Sequence, residues 1–449
     1  MISVVSLFSG CGGLDLGFHE RPFDLKMAYD NDKAAIKCLI YNLKAPAKVI
    51  DVTSDQFSEE LEILDKANVV LGGFPCQGFS KAGPKNNDDP RNQLYLAMLK
   101  AVDRLKPQIF IGENVDGIAQ NFAGAFVSKI TEDFKKIGYK VEYRILNAVN
   151  YGVPQYRRRA IFIGTLNSEG PSFPWPKPTH YGSSRNGEFK TLWDVNDLPD
   201  MFDTEILNTG VSIKDALSDL INQDDSFPDH KTVDNIRKND IQIVSTIKEG
   251  QKLCNVRFSS TSVYTWNIPS VYGETSDRER CILETIGKNR RKKIYGDIPN
   301  GNPLSLEVIK TLTNLEISKD ELDSLVKRKF LRTWDKKYDL TGAMFCSGLY
   351  KRPLWNEPSP TVLTVFHSPR YMAHPLKNRP FTVRECARLQ SFPDTFKFLE
   401  SGIDTNDAYR LIGNAVPPLL SLNLAESVKT YLSHITITNE NNSSTAILQ

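Results

Sequence analysis

The chain has 449 residues, of which 40% are hydrophobic and 10% aromatic. This composition excludes a disordered or low-complexity protein, and at roughly 150 residues per domain the length predicts two or three domains. Since 56 Lys and Arg stand against 54 Asp and Glu, the formal net charge is only +2, and a nucleic-acid-binding surface would need locally concentrated positive charge.

The cysteines and the apolar segments define the cellular setting. Seven scattered cysteines without a CxxC pair predict reduced thiols, with neither a disulfide scaffold nor a metal site. No run reaches the ~18 apolar residues that a membrane span needs. The apolar start, Met1 to Phe18, is interrupted by Asp15 and has no basic residue before Arg21, which is unlike a secretory signal. We therefore expect a cytoplasmic protein.

Short β-branched runs alternate with amphipathic stretches over the first 165 residues. The predicted helices are Asp32 to Asn42, Asn92 to Leu105 and Phe122 to Ile137. The predicted strands are Ile2 to Leu7, Leu25 to Tyr29, Lys48 to Ile50, Val69 to Gly73, Gln108 to Gly112, Tyr139 to Asn147 and Arg159 to Gly164. This alternation predicts an α/β fold, a mostly parallel sheet with ligands at the carboxyl ends of its strands. The short loop between the last two strands predicts an antiparallel edge hairpin.

The sequence from about Leu166 to Trp355 is irregular and contains two basic runs. Residues 278 to 293 carry seven Lys or Arg against two Glu, and residues 327 to 337 carry six against one Asp. Each run is either a solvated surface or a contact to phosphates or guanine edges. Helical patterning resumes after about Pro380, at Thr382 to Gln390, Asn406 to Leu411 and Leu419 to Leu432, before a polar tail.

A glycine-rich turn, Phe8 to Gly13, follows the first predicted strand. Glycines at this position let the backbone approach a nucleotide closely, and an acid after the second strand, here Asp30, can bind ribose hydroxyls. The spacing is not GxGxxG, so a tight structural loop is the alternative.

The segment Gly72 to Ser80 (GGFPCQGFS) follows the fourth predicted strand. Its Gly and Pro residues contribute no core, so Cys76 is expected at the ligand edge of the sheet, where a nucleophile belongs. A free cysteine is more often a small buried apolar residue. That interpretation suits Cys38, Cys254, Cys281 and Cys346.

Charged residues at two further strand ends converge on the same edge. Glu113 ends the fifth predicted strand, next to the Cys76 loop. Gln155 to Arg159 (QYRRR) opens the edge hairpin, where alternation directs Arg157 and Arg159 to one side and Arg158 to the other. Alone, each is an ordinary strand-end acid or surface patch.

Together, and in this order, these segments resemble the C5-cytosine DNA methyltransferases. The matching positions are Phe8 to Gly13, Asp30, Asp51, Pro75 to Gln77, Glu113 to Val115, Gln155 to Arg159, Arg379 to Pro393 and Gly413 to Pro418. The resemblance implies a Rossmann-like S-adenosylmethionine-dependent methyltransferase sheet with a smaller target-recognition domain. It implies a catalytic, cofactor-binding domain at 1–170 and 400–436, a target-recognition domain and hinge at 171–399, and a flexible tail at 437–449.

The resemblance also implies methyl transfer from S-adenosylmethionine to C5 of a flipped-out cytosine in a specific duplex DNA sequence. Cys76 is expected to add to C6, Glu113 to share a proton with N3, and Arg159 to lie near O2 with Arg157 in support. Gln77 and Ser80 are hypothesised to contact the opened strand. The implied cofactor-binding residues are Phe8, Gly10, Cys11, Gly12, Gly13, Asp30, Asn31, Asp51, Val52, Pro75, Leu94, Asn414 and Ala415.

Three alternatives remain open at this point. One branch of the family methylates tRNA, although a middle segment of roughly 190 residues favours sequence reading on duplex DNA. A non-catalytic DNA-binding relative would not need Cys76, Glu113 and Arg159 together. An NAD-dependent oxidoreductase shares only the glycine turn and Asp30. The start of the chain on its first strand favours a bacterial or phage enzyme that is paired with a restriction endonuclease. We expect the enzyme to be monomeric.

Overall fold

The computed structural model describes residues 1–74, 94–120, 125–166, 171–181, 208–222, 227–232, 236–298, 301–342 and 348–446. The strands are β1 (Ile2–Leu7), β2 (Phe23–Asp30), β3 (Ala47–Val49), β4 (Val69–Gly72), β5 (Ile109–Val115), β6 (Tyr139–Asn147), β7 (Arg158–Leu166), β8 (His180–Tyr181), β9 (Asn208–Thr209), β10 (Lys252–Leu253), β11 (Ser262–Val263), β12 (Leu331–Trp334) and β13 (Lys337–Leu340). The α-helices are α1 (Lys33–Leu43), α2 (Asp55–Ile63), α3 (Leu94–Leu105), α4 (Gly117–Gln120), α5 (Ala125–Lys136), α6 (Ile213–Leu217), α7 (Lys238–Thr246), α8 (Pro269–Tyr272), α9 (Asp277–Asn289), α10 (Leu306–Thr313), α11 (Lys319–Lys327), α12 (Val383–Leu389), α13 (Thr405–Asn414) and α14 (Pro418–Ala446).

Seven strands form the principal sheet, in the order β3-β2-β1-β4-β5-β7-β6. The pairs between β3 and β5 are parallel, whereas β7 is antiparallel to both β5 and β6. The predicted mostly parallel sheet and its antiparallel edge hairpin are thus confirmed. The hairpin folds back so that β7, the later strand, takes the inner position and β6 forms the edge.

Helices cover both faces of this sheet, as the alternating pattern predicts. On one face α2, α3 and α5 contribute side chains such as Phe57, Met98 and Phe134 to the core. On the other face α1 and α14 contribute Leu39 and Leu424. The strands between them are apolar on both sides, which is typical of a buried parallel sheet.

The C-terminal helix α14 completes the core begun by the N-terminal strands. It packs against the 3₁₀-helix Asp15–Phe18, where a Cβ added to Gly17 would meet the Ser421 Oγ at only 2.3 Å. Only glycine permits this approach of the two backbones. The helix continues to Ala446, beyond the predicted end at Leu432, through the residues predicted to form a tail.

The chain divides into two compact units. The first comprises Met1–Lys231, Asn356–Thr364 and Val383–Gln449, and the second Thr232–Trp355 and Val365–Thr382. In the first unit a buried ion pair joins distant segments, because Asp229 accepts from the Arg384 Nε at 3.0 Å and from its Nη2 at 2.7 Å. The assignment of functions to 1–170, 171–399 and 400–436 stays a prediction.

The second unit has more regular structure than its sequence indicates. Its main core packs α9, α10 and α11 against the β12–β13 hairpin, through residues such as Ile286, Ile309 and Leu340. Helix α9 begins with a reciprocal capping box between Ser276 and Glu279, a pattern that fixes helix starts. Among the described residues, no helix is long and apolar enough to cross a membrane.

Candidate active site

A cavity of about 610 Å³ opens at the carboxyl ends of β1, β2, β4 and β5. Its volume lies within the usual range of small-molecule sites. Residues from the two ends of the chain line it: Ser6, Leu7, Phe8, Ser9, Gly10, Cys11, Gly13, Leu14, Asp30, Asn31, Asp32, Ala35, Ile50, Asp51, Val52, Gly73, Phe74, Leu94, Glu113, Asn114, Val115, Arg159, Arg410, Leu411, Gly413, Asn414, Ala415 and Val416.

The turn after β1 forms the floor of this cavity. Phe8 and Gly10 have positive φ angles of 54° and 56°, a conformation that is strained for a phenylalanine and that recurs at ligand sites. A Cβ on Gly13 would lie 2.5 Å from the Val416 carbonyl oxygen and 2.9 Å from the Ala415 Cβ. Glycine at position 13 therefore lets the segment from the C-terminal end of the chain close this side of the cavity.

Asp30, at the end of β2, holds the glycine turn. Its Oδ2 accepts from the Gly10 N–H at 2.8 Å, and its Oδ1 accepts from the Asp32 N–H at 2.9 Å. Burial raises the pKa of this carboxyl group, although those two hydrogen bonds oppose the shift. Each carboxylate oxygen has a second lone pair for a ligand hydroxyl, which suits the predicted contact to ribose.

Glu113 and Arg159 form an ion pair at the end of β5. Glu113 lies opposite Ile161 and Arg159 lies opposite Val115, so the two are diagonal neighbours on one face of the sheet. The Arg159 Nε donates to the Glu113 Oε1 at 2.7 Å, with side chains only 12% and 11% exposed. Burial raises the pKa of Glu113 against the opposing charges of Arg159 and Arg157. A carboxyl group with a raised pKa holds a proton more readily than an exposed one, which suits it to proton sharing.

Asn114 ties β5 to the segment that precedes the predicted nucleophile. Its Nδ2 donates to the Phe74 carbonyl oxygen at 2.9 Å. Phe74 is buried, so this bond fixes the point at which the chain leaves the sheet toward Cys76. Pro75, Cys76, Gln77 and Ser80 themselves lie outside the described residues.

Arg157 occupies a different place from its neighbour Arg159. Its guanidinium is buried and donates from Nη1 to the Val362 carbonyl at 3.2 Å, and from Nη2 to those of Gly413 and Ala415 at 2.8 and 3.0 Å. Arg157 does not line the cavity. Instead it holds both carbonyl groups that flank Asn414, a residue of the cavity wall.

Two buried glutamines, Gln155 and Gln390, extend this set of hydrogen bonds. The Gln390 Nε2 donates to the carbonyls of Ile412 and Ala415 at 2.9 and 2.7 Å, and the Val362 N–H donates to the Gln155 Oε1 at 2.8 Å. The sequence motif includes both glutamines but gives no role to either. Their function as backbone anchors depends on partners more than 20 residues away, so no local pattern indicates it.

The described cysteines differ in their surroundings. Cys11 lines the cavity, yet burial raises the pKa of its thiol well above the ordinary value, which disfavours the nucleophilic thiolate. Burial likewise raises the pKa of Cys38 to about 12. Cys254 is buried as predicted, but Cys281 is exposed, because it lies on the outer side of α9. Cys346 lies outside the described residues.

The structure therefore brings most of the predicted site residues together. The predicted site residues that line this cavity are Phe8, Gly10, Cys11, Gly13, Asp30, Asn31, Asp51, Val52, Leu94, Glu113, Arg159, Asn414 and Ala415. Gly12 faces Leu39 and Leu43 of α1 instead, and Arg157 lies behind the wall. In the described part of the chain, no group of His, Cys, Asp and Glu side chains could hold a metal ion.

The cavity combines a glycine turn with acidic side chains at strand ends, as nucleotide-cofactor sites do. Beside Gly13 there is room only for backbone, an added Cβ on Gly10 would meet nothing within 4 Å, and the Asp30 carboxylate lines the cavity while it accepts from the Gly10 N–H. Asp51, whose Oδ1 accepts from the Thr53 N–H at 2.9 Å, lies at the mouth. These features define a nucleotide-cofactor site in an α/β enzyme with an acid–arginine pair at its edge.

Comparisons with known proteins identify the family. The model of the C-5 cytosine-specific DNA methylases matches residues 2–430. The type II methyltransferase M.AgeI of Thalassovita gelatinovora is 30% identical, over 96% of this chain and 100% of its own. M.HgiCII of Herpetosiphon aurantiacus is 30% identical over 94% and 96%. A solved structure, described as a candidate prophage-encoded DNA modification methyltransferase from E. coli, has a TM-score of 0.53 at 24% identity, over 96% and 100%.

The chain belongs to the C-5 cytosine-specific DNA methylase family. It is a DNA (cytosine-5-)-methyltransferase, an enzyme that uses S-adenosylmethionine to methylate C5 of cytosine in DNA. When bound, the cofactor supplies an electrophilic methyl group.

Replacement of Arg157 by Lys should weaken S-adenosylmethionine binding roughly tenfold to a hundredfold. A lysine cannot reach all three carbonyls, and hydrogen bonds from a charged donor contribute about 1.5–3 kcal/mol. Calorimetric titration of the DNA-free enzyme with cofactor measures this effect. Arg158→Lys is the matched control, because Arg158 is exposed. Unchanged cofactor affinity alongside a slower methyl transfer would instead support the predicted role of Arg157 beside the cytosine.

Proposed function

We propose that this enzyme methylates one cytosine within a specific duplex DNA sequence, through a covalent adduct between Cys76 and C6 of the flipped base. The observation that carries the proposal is the buried Glu113–Arg159 pair at the edge of the cofactor cavity, with a nitrogen-to-oxygen distance of 2.7 Å. C5 of cytosine is a poor nucleophile until the ring is activated, and these two groups can supply the proton and the positive charge that this activation needs.

In this mechanism the Cys76 thiolate adds to C6, and negative charge moves onto N3 and O2 of the ring. Glu113, whose pKa is raised by burial, donates a proton to N3. Arg159 donates to O2, since its Nε and Nη1 are engaged with Glu113 and the Arg158 carbonyl while its Nη2 has no partner among the described residues. Such a preorganised donor can contribute about 3 kcal/mol to a transition state.

C5 then takes the methyl group, a base removes the C5 proton, and the C6–S bond breaks to return the Cys76 thiolate. N3 gives its proton back to Glu113. The base must leave the helix for this reaction, at a cost of a few kcal/mol. Gln77 and Ser80 are proposed to contact the opened strand. Asn414 and Ala415 are proposed to hold the cofactor, in the position set by Arg157 and Gln390.

The names of the relatives M.AgeI and M.HgiCII, both type II methyltransferases, support pairing with a restriction endonuclease of the same target sequence. A monomeric enzyme that acts in the cytoplasm on nucleoid DNA fits that role. The assignment of target recognition to residues 171–399 is part of the same proposal.

Methyl transfer from labelled S-adenosylmethionine to duplex DNA and to tRNA tests the substrate. We expect labelling of DNA alone. Bisulfite sequencing of DNA from cells that express the enzyme should show that one cytosine is methylated at each occurrence of one target sequence. Labelling of tRNA in place of DNA would favour the RNA-modifying branch of the family. Methylation at unrelated cytosines would contradict the proposed sequence specificity.

A further inference from the structure

The structure separates the cations of the two basic runs, 278–293 and 327–337, into paired and free ones. Six of the thirteen lie within 4 Å of a carboxylate: Arg278, Arg280, Lys288, Arg290, Arg328 and Arg332. The other seven have no ion-pair partner among the described residues and are exposed: Arg291, Lys292, Lys293, Lys327, Lys329, Lys336 and Lys337. The free charge thus lies at two places: just after α9, at Arg291 to Lys293, and on or directly before the β12–β13 hairpin, at Lys327, Lys329, Lys336 and Lys337.

A buried ion pair joins these two places. The Asp339 carboxylate of β13 accepts from the Arg290 Nε at 2.6 Å and Nη2 at 2.9 Å, and from the Arg332 Nη2 at 2.9 Å. Arg290 is fully buried. Arg290 and Arg332 together neutralise the Asp339 carboxylate. Asp339 therefore does not reduce the positive charge of the free cations on either side.

The hairpin has a tight two-residue turn with an exposed tryptophan beside it. Trp334 and Lys337 are directly opposite each other, and the two residues between them have φ angles of 48° and 58°. Positive φ at both central positions defines a type I′ turn, whose twist matches that of the strands. The base of the hairpin is anchored in the core by Leu331 and Leu340. By contrast, Trp334, which lies next to the turn, is 62% exposed.

We propose that the tip of the β12–β13 hairpin is a duplex-DNA contact, in which Lys336 and Lys337 hold phosphates and Trp334 packs on sugars and base edges. Arg291 to Lys293 add phosphate contacts on the neighbouring surface. The partner follows from charge: a lysine-rich surface is atypical of protein interfaces, whose cores are depleted in lysine, and it is complementary to a polyanion. An exposed aromatic side chain between cations suits a nucleic acid. The inference rests on the proposed action on duplex DNA.

The salt dependence of DNA binding tests this surface. Each phosphate contact contributes about 0.9 to the slope of log K against log salt, so Lys336→Gln with Lys337→Gln should lower the slope by about 1.8. Affinity at physiological salt should fall roughly tenfold or more. The measurement is fluorescence anisotropy with a labelled duplex of mixed sequence and the full-length enzyme at several KCl concentrations. The control variant, Lys129→Gln with Lys136→Gln, removes two lysines that pair with Asp133 and should leave the slope unchanged.

Trp334→Ala should weaken DNA binding about tenfold without a change in slope, and Trp334→Phe should restore part of the loss. Circular dichroism and thermal unfolding of each variant report correct folding, because the hairpin and the cofactor cavity belong to different compact units. If the hairpin variants bind DNA like the control while the wild-type enzyme methylates duplex DNA, this inference is wrong and the proposed function stands. If the wild-type enzyme methylates no duplex DNA, the proposed function itself fails.

Discussion

Cys76→Ser should abolish methyl transfer and leave the binding of S-adenosylmethionine and DNA intact. A serine hydroxyl has almost no anionic form at neutral pH, whereas a free thiol with a pKa near 8.5 is already a few per cent thiolate. Cys11, the described cysteine in the cavity, cannot substitute, because burial raises the pKa of its thiol. Transfer of labelled methyl groups to duplex DNA measures the loss.

A duplex with 5-fluorocytosine at the target position tests the adduct itself. With S-adenosylmethionine present, C5 of the adduct takes the methyl group, and the fluorine then stands where a proton must leave. Because fluorine cannot leave as a cation, elimination of Cys76 is blocked after methyl transfer and the C6–S bond persists. We expect a complex that survives denaturing electrophoresis with the wild-type enzyme and none with Cys76→Ser. The absence of this complex with an active wild-type enzyme would argue against covalent catalysis, and methyl transfer by the serine variant would exclude Cys76 as the nucleophile.

Glu113→Gln should slow methyl transfer about 10²–10³-fold, the effect of losing one preorganised group at a developing charge. The amide keeps the shape of the side chain and an acceptor for the Arg159 Nε, but it cannot deliver a proton to N3. Single-turnover methyl transfer at saturating cofactor and DNA isolates this step. The control Glu142→Gln changes a strand glutamate outside the cavity, which accepts from the Trp175 Nε1 at 3.1 Å, and should alter the rate less than about twofold.

The pH profile gives a second measurement on Glu113. Its pKa is raised above the ordinary value by burial, and the protonated form is the donor to N3. The contribution of this group is therefore present at low pH and is lost as the pH rises through the raised pKa. The wild-type single-turnover rate should show this falling limb, and Glu113→Gln should lack it. Equal profiles for the two enzymes would mean that Glu113 acts only by holding Arg159.

The sequence is sufficient to predict the positions of the site residues that stand at the ends of strands. Gly10, Asp30 and Glu113 each follow or end a strand of the parallel sheet, and the carboxyl ends of parallel strands meet at one edge. Apolar β-branched runs and the helices between them are local signals, so the positions of these three residues could be predicted without long-range information.

The different placement of Arg157 and Arg159 could not be predicted in this way. Strand alternation assigned both to one side, but β7 begins at Arg158, so Arg157 precedes the strand to which the rule applies. Its partners are carbonyls of residues more than 200 positions later. A backbone carbonyl has no sequence signature, and only the folded chain shows which arginine meets the carboxylate.

The helices of the second unit could not be predicted from hydrophobic periodicity, for a different reason. Helices α9 and α11 span 13 and 9 residues, which is short for a period of 3.6 to emerge among so many charged side chains. Their starts were nevertheless encoded, since Ser276 precedes Glu279 and Ser318 precedes Glu321 in the spacing of a capping box. In short, highly charged helices of this kind the cap is a stronger sequence signal than the periodicity.

The contact of Gly13 with Ala415 and Val416 has a consequence for biosynthesis. The strands that carry Asp30 and Glu113 leave the ribosome early, but the segment that closes the cofactor cavity beside Gly13 is translated about 250 residues after β7. At roughly 5–20 residues per second this interval lasts tens of seconds. During it the nascent chain has its acid–arginine pair but lacks the segment that closes the cofactor cavity beside Gly13.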